Sequence, residues 1–346
     1  MDTTVKTLCA LPFDRIKIDS DGKFQSCCYQ TGYYGNILNP GSNIVDDFKN
    51  LKLRKVKNDV LNGKLHKICD NIECPIRYES RDRREETTIS KYPKQIEIAL
   101  PSTWCNIGGL KPTPDTACIM CPRSSVGYMS QEYHKVNITD KIIEYIKPAI
   151  PHIDYLSVLG IAEPFYKGII FDMLDKLEFK KYKDNIFFWT FCNGTLFGEK
   201  NQDKFLTYMK KCNFGFSVDA ATPETYKKIR RLNYFDTIER NLTTWFKKVK
   251  DSEVQDYSFI YNNINMLNVH EMSDMVRFAK KVGAYRLQLN PTYVTSHDMA
   301  LPKNMICNES NWEIFWEAQL KAEEVAKELD MKLTIWRPFH LGYLNK

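Results

Sequence analysis

Several features that would narrow the class of protein are missing from this chain of 346 residues. Its N-terminal stretch lacks the basic head and long apolar run of a signal peptide, and no run approaches about 18 uncharged apolar residues. Internal repeats and low-complexity tracts are also absent. The net charge of +6 is small and spread along the chain, so it does not indicate a nucleic-acid partner. We therefore expect a cytoplasmic globular protein with no membrane partner and no clear nucleic-acid partner.

Cysteine, in contrast, is abundant, with 11 in the chain. A chain of this length buries roughly three quarters of its unfolded surface and does not need disulfides to hold a core. At this density in a reducing compartment, cysteines indicate metal binding or catalysis. Cys192, Cys212 and Cys307 are scattered and are predicted to be buried packing residues. The other eight lie in the first 121 residues: Cys9, Cys27, Cys28, Cys69, Cys74, Cys105, Cys118 and Cys121.

The sequence pattern divides the chain into four segments. Residues 1–80 read as a small cysteine-rich α+β module containing a hairpin, with strands at Arg15–Asp19 and Phe24–Tyr29. Residues 81–94 are charged and predict a linker or a solvated helix. Residues 95–292 alternate short apolar runs with amphipathic stretches. Residues 293–346 form an extension, with a helix at 308–329 and a strand at 332–336.

The alternation within residues 95–292 predicts a parallel sheet covered by helices, either an open doubly wound sheet or a partial barrel. In both architectures the active site lies at the carboxyl ends of the strands. The apolar strands favour a dry barrel interior. The six strand candidates are Gln95–Leu100, Ile153–Leu159, Ile186–Cys192, Phe214–Val218, Tyr257–Tyr261 and Arg286–Leu289.

Three cysteines follow the first of these strands. Cys118 and Cys121 have a two-residue gap, and Cys105 precedes them by a loop of twelve residues containing Gly-Gly and two prolines. Three thiolates leave a fourth ligand position open. In a [4Fe–4S] cube that position is an iron free to bind a small molecule, and in a zinc site it is a catalytic water.

This loop resembles the CxxxCxxC loop of the radical S-adenosylmethionine (SAM) superfamily. The Cys105-Asn106 start and the Cys118-Ile-Met-Cys121-Pro-Arg end are kept, although twelve residues replace three between the first two cysteines. Further elements of the family follow in order at strand ends. They are Leu159–Pro164, similar to Gly-Gly-Glu-Pro with Ala162 in place of Gly, Thr190–Leu196, similar to Thr-Asn-Gly-Thr-Leu, and Phe216–Tyr226 with Lys228–Arg231 after it.

The resemblance implies a partial (β/α)6 TIM-like barrel and an oxidoreductase-type reaction. Cys105, Cys118 and Cys121 would hold a [4Fe–4S] cluster that binds SAM and cleaves it reductively. The resulting 5′-deoxyadenosyl radical would abstract hydrogen from the substrate. The remaining cofactor-binding residues implied are Gly160, Ala162 and Glu163 beside the methionine amino group, Ser217 and Asp219 at the ribose, and Arg230 at the carboxylate. Asn193 is implied as a further cofactor-binding residue.

Four cysteines of the first module predict a second metal site. The turn at Gly22 brings Cys9 and Cys27 together, and the Cys69–Cys74 loop can complete a closed four-thiolate site for zinc or an iron–sulfur cluster. Cys28 is a second choice of ligand and His66 an alternative. The spacing resembles the start of a SPASM/twitch auxiliary-cluster domain, which usually follows the barrel but here precedes it.

The substrate is expected to be a peptide or protein side chain or a small metabolite. The resemblance also implies an electron donor such as a flavodoxin or ferredoxin. Two alternatives stay open: a structural zinc site at Cys105, Cys118 and Cys121, and a non-catalytic iron–sulfur or zinc-binding protein that retains the fold.

Overall fold

The computed structural model describes residues 3–69, 71, 74, 76, 85–100, 105–108, 115–121, 138–160, 162–292, 301–308 and 310–335. In these residues the chain forms thirteen β-strands and ten α-helices. The strands are β1 (Thr3–Thr7), β2 (Arg15–Ile18), β3 (Lys23–Gln25), β4 (Gly35–Asn36), β5 (Glu85–Ile89), β6 (Gln95–Ala99), β7 (Tyr155–Leu159), β8 (Phe187–Cys192), β9 (Lys211–Ser217), β10 (Gln255–Asp256), β11 (Phe259–Ile264), β12 (Arg286–Pro291) and β13 (Lys332–Ile335).

The α-helices fall into two groups, three before β5 and seven after β6. They are α1 (Leu11–Asp14), α2 (Ile44–Asp47), α3 (Leu51–Leu61), α4 (Ile138–Ile146), α5 (Ile169–Lys176), α6 (Glu199–Leu206), α7 (Pro223–Arg230), α8 (Phe235–Lys250), α9 (Met272–Val282) and α10 (Trp312–Glu328).

One sheet organises most of the described chain, in the strand order β13-β12-β11-β9-β8-β7-β6-β2-β3-β4, with β10 beside β9. Strands β6, β7, β8, β9, β11 and β12 pair in parallel, each with the next. They correspond to the six strand candidates, so the predicted parallel sheet is confirmed. Helices α4 to α9 lie in the crossovers that parallel pairing requires. The carboxyl ends of these strands therefore meet at one edge of the sheet.

The helix-covered side of the sheet forms the apolar core. Phe188 of β8 contacts Phe205 of α6 with ring centroids 5.6 Å apart, and Phe214 of β9 contacts Trp245 of α8 at 5.3 Å. All four rings are fully buried. Burying one such ring stabilises the fold by roughly 1.5–3 kcal/mol. This packing holds the strands rigidly, so that the segments leaving their carboxyl ends start from defined positions.

The other side of the sheet is polar and aromatic, which corrects the expectation of an apolar interior. Because side chains alternate along a strand, the apolar residues visible in the sequence face the helices, and their neighbours face away. Glu97 is nearly buried and forms ion pairs with Arg15 and Lys17 of β2. One cross-strand row on this side consists of Glu97, Ser157, Trp189 and Asn213.

The N-terminal hairpin joins the same sheet. Strand β2 pairs in parallel with β6, and β3 and β4 add to it antiparallel. The predicted hairpin is confirmed, with β3 ending at Gln25. The expected boundary near residue 80 therefore does not separate two sheets. The first module extends the main sheet beyond β6 by three strands, of which β2 is the one that pairs with β6.

Strand β5 lies where the sequence predicts a linker or a solvated helix, and that prediction is wrong for residues 85–89. The strand pairs antiparallel with β1 in a separate two-stranded sheet. Its buried Thr87 donates a hydrogen bond to Asp14 at 2.8 Å, and Glu85 accepts one from the Ala10 backbone N–H at 2.7 Å. These tertiary contacts override the local preference of a charged segment. Residues 81–84 of the predicted linker lie outside the described residues.

The C-terminal extension contains the predicted helix as α10 and the predicted strand as β13, which pairs in parallel with β12. Residues 293–300, 309 and 336–346 of the extension lie outside the described residues. In the part of the chain that the structure describes, no helix has the length and apolarity needed to cross a membrane.

Candidate functional site

A cavity of about 210 Å³ opens at the carboxyl ends of β7, β8 and β9. It brings together residues from sequence motifs that lie up to 125 positions apart, which is the distance from Cys105 to Arg230. Cys105, Cys118 and Cys121, here called the carboxyl-end cysteines, form part of its wall. The other lining residues are Ile107, Met120, Gly160, Ala162, Glu163, Phe191, Cys192, Asn193, Ser217, Arg230 and Asn263.

Arg230 connects the cysteine loop to the sheet. It lies in the last turn of α7. The N-cap residue of this helix, Thr222, accepts a hydrogen bond from the Thr225 N–H through its side chain. Its Nη1 is 3.6 Å from the Cys118 Sγ, and its Nη2 donates to the Ser217 carbonyl oxygen at 3.1 Å. The guanidinium therefore lies against one of the three predicted cluster ligands.

Asp219 does not line the cavity. It is fully buried, forms an ion pair with Arg230, and accepts a hydrogen bond from the Asn263 N–H at 2.9 Å. Burial disfavours the charged form of Arg230, but the Asp219 carboxylate holds the pKa of Arg230 above its ordinary value. Asp219 thus lies behind Arg230, whereas Ser217 reaches the cavity, and the ribose contact expected of Asp219 stays a prediction. Asp219 instead positions Arg230.

Gly160 and Glu163 shape the wall after β7. Gly160 has a φ of +108°, and a Cβ there would lie 3.1 Å from the Leu100 backbone, so only glycine fits. The buried Glu163 carboxylate accepts hydrogen bonds from the Asn193 N–H at 2.7 Å and the Phe165 N–H at 3.2 Å. Burial raises the pKa of Glu163 to about 7 despite these bonds. Glu163 therefore ties the end of β7 to the end of β8.

Besides the apolar Ile107, Met120 and Phe191, two cavity residues were not predicted from the sequence. Cys192 lies in the wall as well as in the core, and Asn263, near the end of β11, lines the same cavity as Ser217 and Arg230. The position of Cys192 directly before Asn193 in the third motif was a usable signal. Asn263 had none, because its strand carries no recognisable motif. The other two cysteines predicted to be packing residues, Cys212 and Cys307, are buried as expected.

The amino-end cysteines, Cys9, Cys27, Cys69 and Cys74, form a second group. The Cys9 thiol interacts electrostatically with those of Cys69 and Cys74, and the Cys27 thiol interacts with that of Cys9. Burial raises the pKa of Cys9 to about 12 and also raises that of Cys69. A hydrogen bond with the Cys28 thiol, together with burial, raises the pKa of Cys27. The charged forms of the Cys9, Cys27 and Cys69 thiols are therefore disfavoured unless a positive centre compensates them.

The two alternative ligands of this second group are placed differently. Cys28 is exposed, and its thiol interacts with Lys17 and Arg15 rather than with Cys9. His66 accepts a hydrogen bond from the Ile68 N–H at its Nδ1. Cys27 is therefore better placed than Cys28 to share a site with Cys9.

The two groups lie at opposite ends of the parallel strands. Cys9 precedes α1 and the start of β2, and Cys27 follows the end of the antiparallel β3, so both belong to the amino-terminal edge. The carboxyl-end cysteines lie beyond the opposite edge. A five-residue strand such as β6 separates the two edges by on the order of 15 Å.

Both donor sets consist of thiols, the donor type that the predicted groups require. Among the residues that the structure describes, no three His, Cys, Asp or Glu side chains stand in an arrangement that could already hold a metal ion. The carboxyl-end set supplies three thiols and an adjoining cavity for a further ligand. The amino-end set supplies four thiols and a small apolar cluster of Leu8, Phe13 and Val60. Thiolates are the usual protein ligands of iron–sulfur clusters and of structural zinc.

Comparisons with known proteins agree with this picture in part. No protein-family model matches the chain. A GTP 3′,8-cyclase from Desulforamulus reducens is 26% identical over 137 residues, which are 38% of this chain and 40% of that protein. The chain therefore spans well under two thirds of the curated relative that it matches.

Solved structures give a likeness of fold. Native anSMEcpe with bound AdoMet superposes with a TM-score of 0.50 at 20% identity, covering 70% of this chain and 64% of that one. SuiB of Streptococcus suis bound to S-adenosylmethionine reaches 0.48 at 12% identity over 70% and 50% of the two chains, which is too low to carry an argument. The likeness to anSMEcpe shows a shared α/β fold. The chain is thus similar in sequence to part of a GTP 3′,8-cyclase and shares its α/β fold with anSMEcpe.

Proposed function

We propose that this chain is a radical SAM enzyme, with its active site in the cavity at the carboxyl ends of β7, β8 and β9. One observation carries the proposal. Three cysteines and the residues of three further motifs, distant in sequence, line a single cavity at the sheet edge where α/β enzymes place their chemistry. Packing alone does not require thiols, a buried guanidinium and a turn that only glycine fits to occur together at one place.

In this proposal Cys105, Cys118 and Cys121 hold a [4Fe–4S] cluster. When bound, such a cluster supplies the electron that cleaves SAM reductively. Arg230 stabilises the negative charge of the Cys118 sulfur through its Nη1, and Asp219 keeps the guanidinium in place. Ile107, Met120 and Phe191 contribute apolar wall that excludes water from the site.

The SAM contacts are assigned to the rest of the cavity wall. The backbone around Gly160 and Ala162 would receive the amino group, with Glu163 holding that backbone against Asn193. Ser217 would contact the ribose. Arg230 lines the cavity and carries the positive charge that suits the SAM carboxylate, in addition to its contact with Cys118.

We further propose that the six parallel strands form a partial (β/α)6 barrel and that the amino-end cysteines hold an auxiliary [4Fe–4S] cluster, as in a SPASM/twitch domain. The strands follow one another in chain order across the sheet, as barrel strands do. The hairpin β2–β3 places Cys9 and Cys27 beneath β6, at the amino-terminal edge. The cysteines of this module, which precedes the barrel in sequence, would thereby lie at the end of the barrel opposite the SAM cavity.

The substrate is proposed to be a peptide or protein side chain or a small metabolite, and the electrons to come from a flavodoxin or ferredoxin. The polar face of the sheet favours a polar substrate, because Glu97, Ser157 and Asn213 offer hydrogen-bonding groups between the two cysteine groups. The likeness to a GTP 3′,8-cyclase supports the small-metabolite choice.

Anaerobic reconstitution with iron and sulfide tests the proposal. The reconstituted protein is expected to show an iron–sulfur absorption band and, after reduction, to convert SAM to 5′-deoxyadenosine. A colourless protein with stoichiometric zinc and no SAM cleavage would refute it. That result would favour the alternative, a non-catalytic metal-binding protein that retains the fold.

A further inference from the structure

Three polar side chains beside the cavity form a closed ring of hydrogen bonds. The Asn106 Nδ2 donates to the Thr195 Oγ1 at 2.8 Å, and the Thr195 hydroxyl donates to the Asn193 Oδ1 at 2.6 Å. The Asn193 Nδ2 donates back to the Asn106 Oδ1 at 3.0 Å. Each side chain in the ring donates one bond and accepts another, so its orientation is fixed by the other two.

The ring joins the cysteine loop to the end of β8. Asn106 directly follows Cys105, whereas Asn193 and Thr195 belong to the turn after β8 and are mostly buried. That turn is held in its own right, since the Thr195 N–H also donates to the Asn193 Oδ1 at 3.0 Å and the Asn193 N–H donates to Glu163. The turn is therefore a rigid anchor, and Asn106 is the group that is anchored.

An anchor of this kind is needed because of the length of the loop. Twelve residues separate Cys105 from Cys118, so the chain itself does little to keep Cys105 near the other two cysteines. Cys118 and Cys121 have local support from the Cys121 N–H to Cys118 carbonyl bond at 2.9 Å and from the Ile119 N–H to Ile229 carbonyl bond at 2.9 Å. Cys105 receives equivalent support through its neighbour Asn106.

We infer that the Asn106–Thr195–Asn193 ring is a positioning device that holds Cys105 at the cavity and thereby stabilises the cluster of the carboxyl-end cysteines. The inference rests on the proposed function for its second half, the effect on the cluster. Its first half, the position of the Cys105 segment, concerns the metal-free chain.

The test compares three variants of the full chain. Thr195→Val removes the hydroxyl and opens the ring at nearly constant volume, while Thr195→Ser keeps the hydroxyl and is expected to keep the ring. Thr190→Val is the matched control, because Thr190 lies in the same strand region, is fully buried, and donates its hydroxyl to the Val158 carbonyl outside the ring.

Two measurements are made on each variant. The first is backbone hydrogen exchange of the segment 105–108 in the metal-free protein, which is expected to be faster in Thr195→Val than in the other two. The second is the rate at which the iron–sulfur absorption of the reconstituted protein disappears under a chelator, expected to rise about tenfold in Thr195→Val only. Thr195→Ser is expected to stay within about twofold of the unsubstituted chain.

Equal behaviour of Thr195→Val and Thr190→Val in the exchange measurement would overturn the inference, because loss of any buried hydroxyl would then explain the result. Faster exchange in Thr195→Val, with rescue by Thr195→Ser, supports it. If the chain binds no iron–sulfur cluster, the proposed function fails, and the exchange measurement still decides whether the ring holds the Cys105 segment. Faster exchange combined with an unchanged rate of cluster loss would overturn the stabilising role.

Discussion

The two groups of cysteines in this protein use the same side chain in opposite surroundings. The carboxyl-end cysteines lie at a cavity, with the guanidinium of Arg230 next to Cys118. In the amino-end group, Cys9 packs against a small apolar cluster, and burial raises the pKa of Cys9 and Cys69. The first group therefore has a cation beside one of its predicted ligands, whereas the thiolate forms of Cys9 and Cys69 are disfavoured unless a metal compensates their charge.

The difference shows that the surroundings of a set of thiolates determine which kind of metal group the set can hold. An open fourth position and a nearby cation suit a cluster that binds a substrate-like molecule and changes charge. A closed set of four thiols in an apolar setting suits a cluster or metal whose ligands do not change. Their placement at opposite ends of the strands leaves the polar face of the sheet between them. The following experiments test this division of roles, beginning with the largest expected effect.

Replacing one cysteine of each group should separate their functions. Cys118→Ala is expected to abolish SAM cleavage, because two thiolates do not hold the cluster that delivers the electron. Cys69→Ala is expected to leave at least part of the SAM cleavage, uncoupled from substrate. Formation of 5′-deoxyadenosine measures both. Equal loss in the two variants, despite an assembled cluster at the carboxyl end, would show that the division is wrong.

The choice between the adjacent Cys27 and Cys28 should be visible in the iron content. Cys27→Ser is expected to lose the amino-end cluster, about four iron atoms per chain, because Cys27 is the one whose thiol interacts with Cys9. Cys28→Ser serves as the matched control and is expected to keep its iron, because Cys28 is exposed and faces Lys17 and Arg15. Loss of iron in Cys28→Ser alone would reverse the assignment.

The buried ion pair behind the carboxyl-end cysteines should matter for folding as well as for the cluster. Arg230→Ala leaves the Asp219 carboxylate buried without its partner and is expected to lower the free energy of unfolding by about 3–5 kcal/mol. Denaturant titration of the metal-free chain measures this. Lys281→Ala, which removes an exposed ion pair with Glu239, should change little. Similar losses in the two variants would argue against a special role for the Arg230 pair.

Glu163 should give the carboxyl-end site a pH dependence. Folding raises its pKa from 4.5 to about 7, so the folded state favours the protonated form. The stabilising contribution is present below pH 4.5 and is lost as the pH rises to 7. Relative to Glu163→Gln, the free energy of unfolding of the unsubstituted chain is expected to fall by about 3 kcal/mol between pH 4.5 and 8. Glu144→Gln, at an exposed position of α4, provides the control and should show no such trend.

Local patterns predicted the six parallel strands because each is a short apolar run bounded by turns, and their order followed from alternation with amphipathic stretches. The candidate site was predictable where its residues belong to motifs at strand ends, as for Gly160, Asn193 and Arg230. The strand β5 was not predictable, because its partner β1 lies about eighty residues away. The polar face was missed for a related reason: alternation determines which face a residue takes, but only the helices determine which face is the core.

The sequence by itself determined the density and spacing of the cysteines, the parallel α/β architecture and the motifs that indicate radical SAM chemistry, because these depend on residue type and local order. The tertiary structure decided the rest. It placed the amino-end cysteines at the end of the strands opposite the cavity, it buried Asp219 behind Arg230 rather than at the cavity, and it closed the ring that joins Asn106 to Asn193 and Thr195. These are contacts between residues that are distant in the chain, and their geometry exists only once the sheet and its helices have packed.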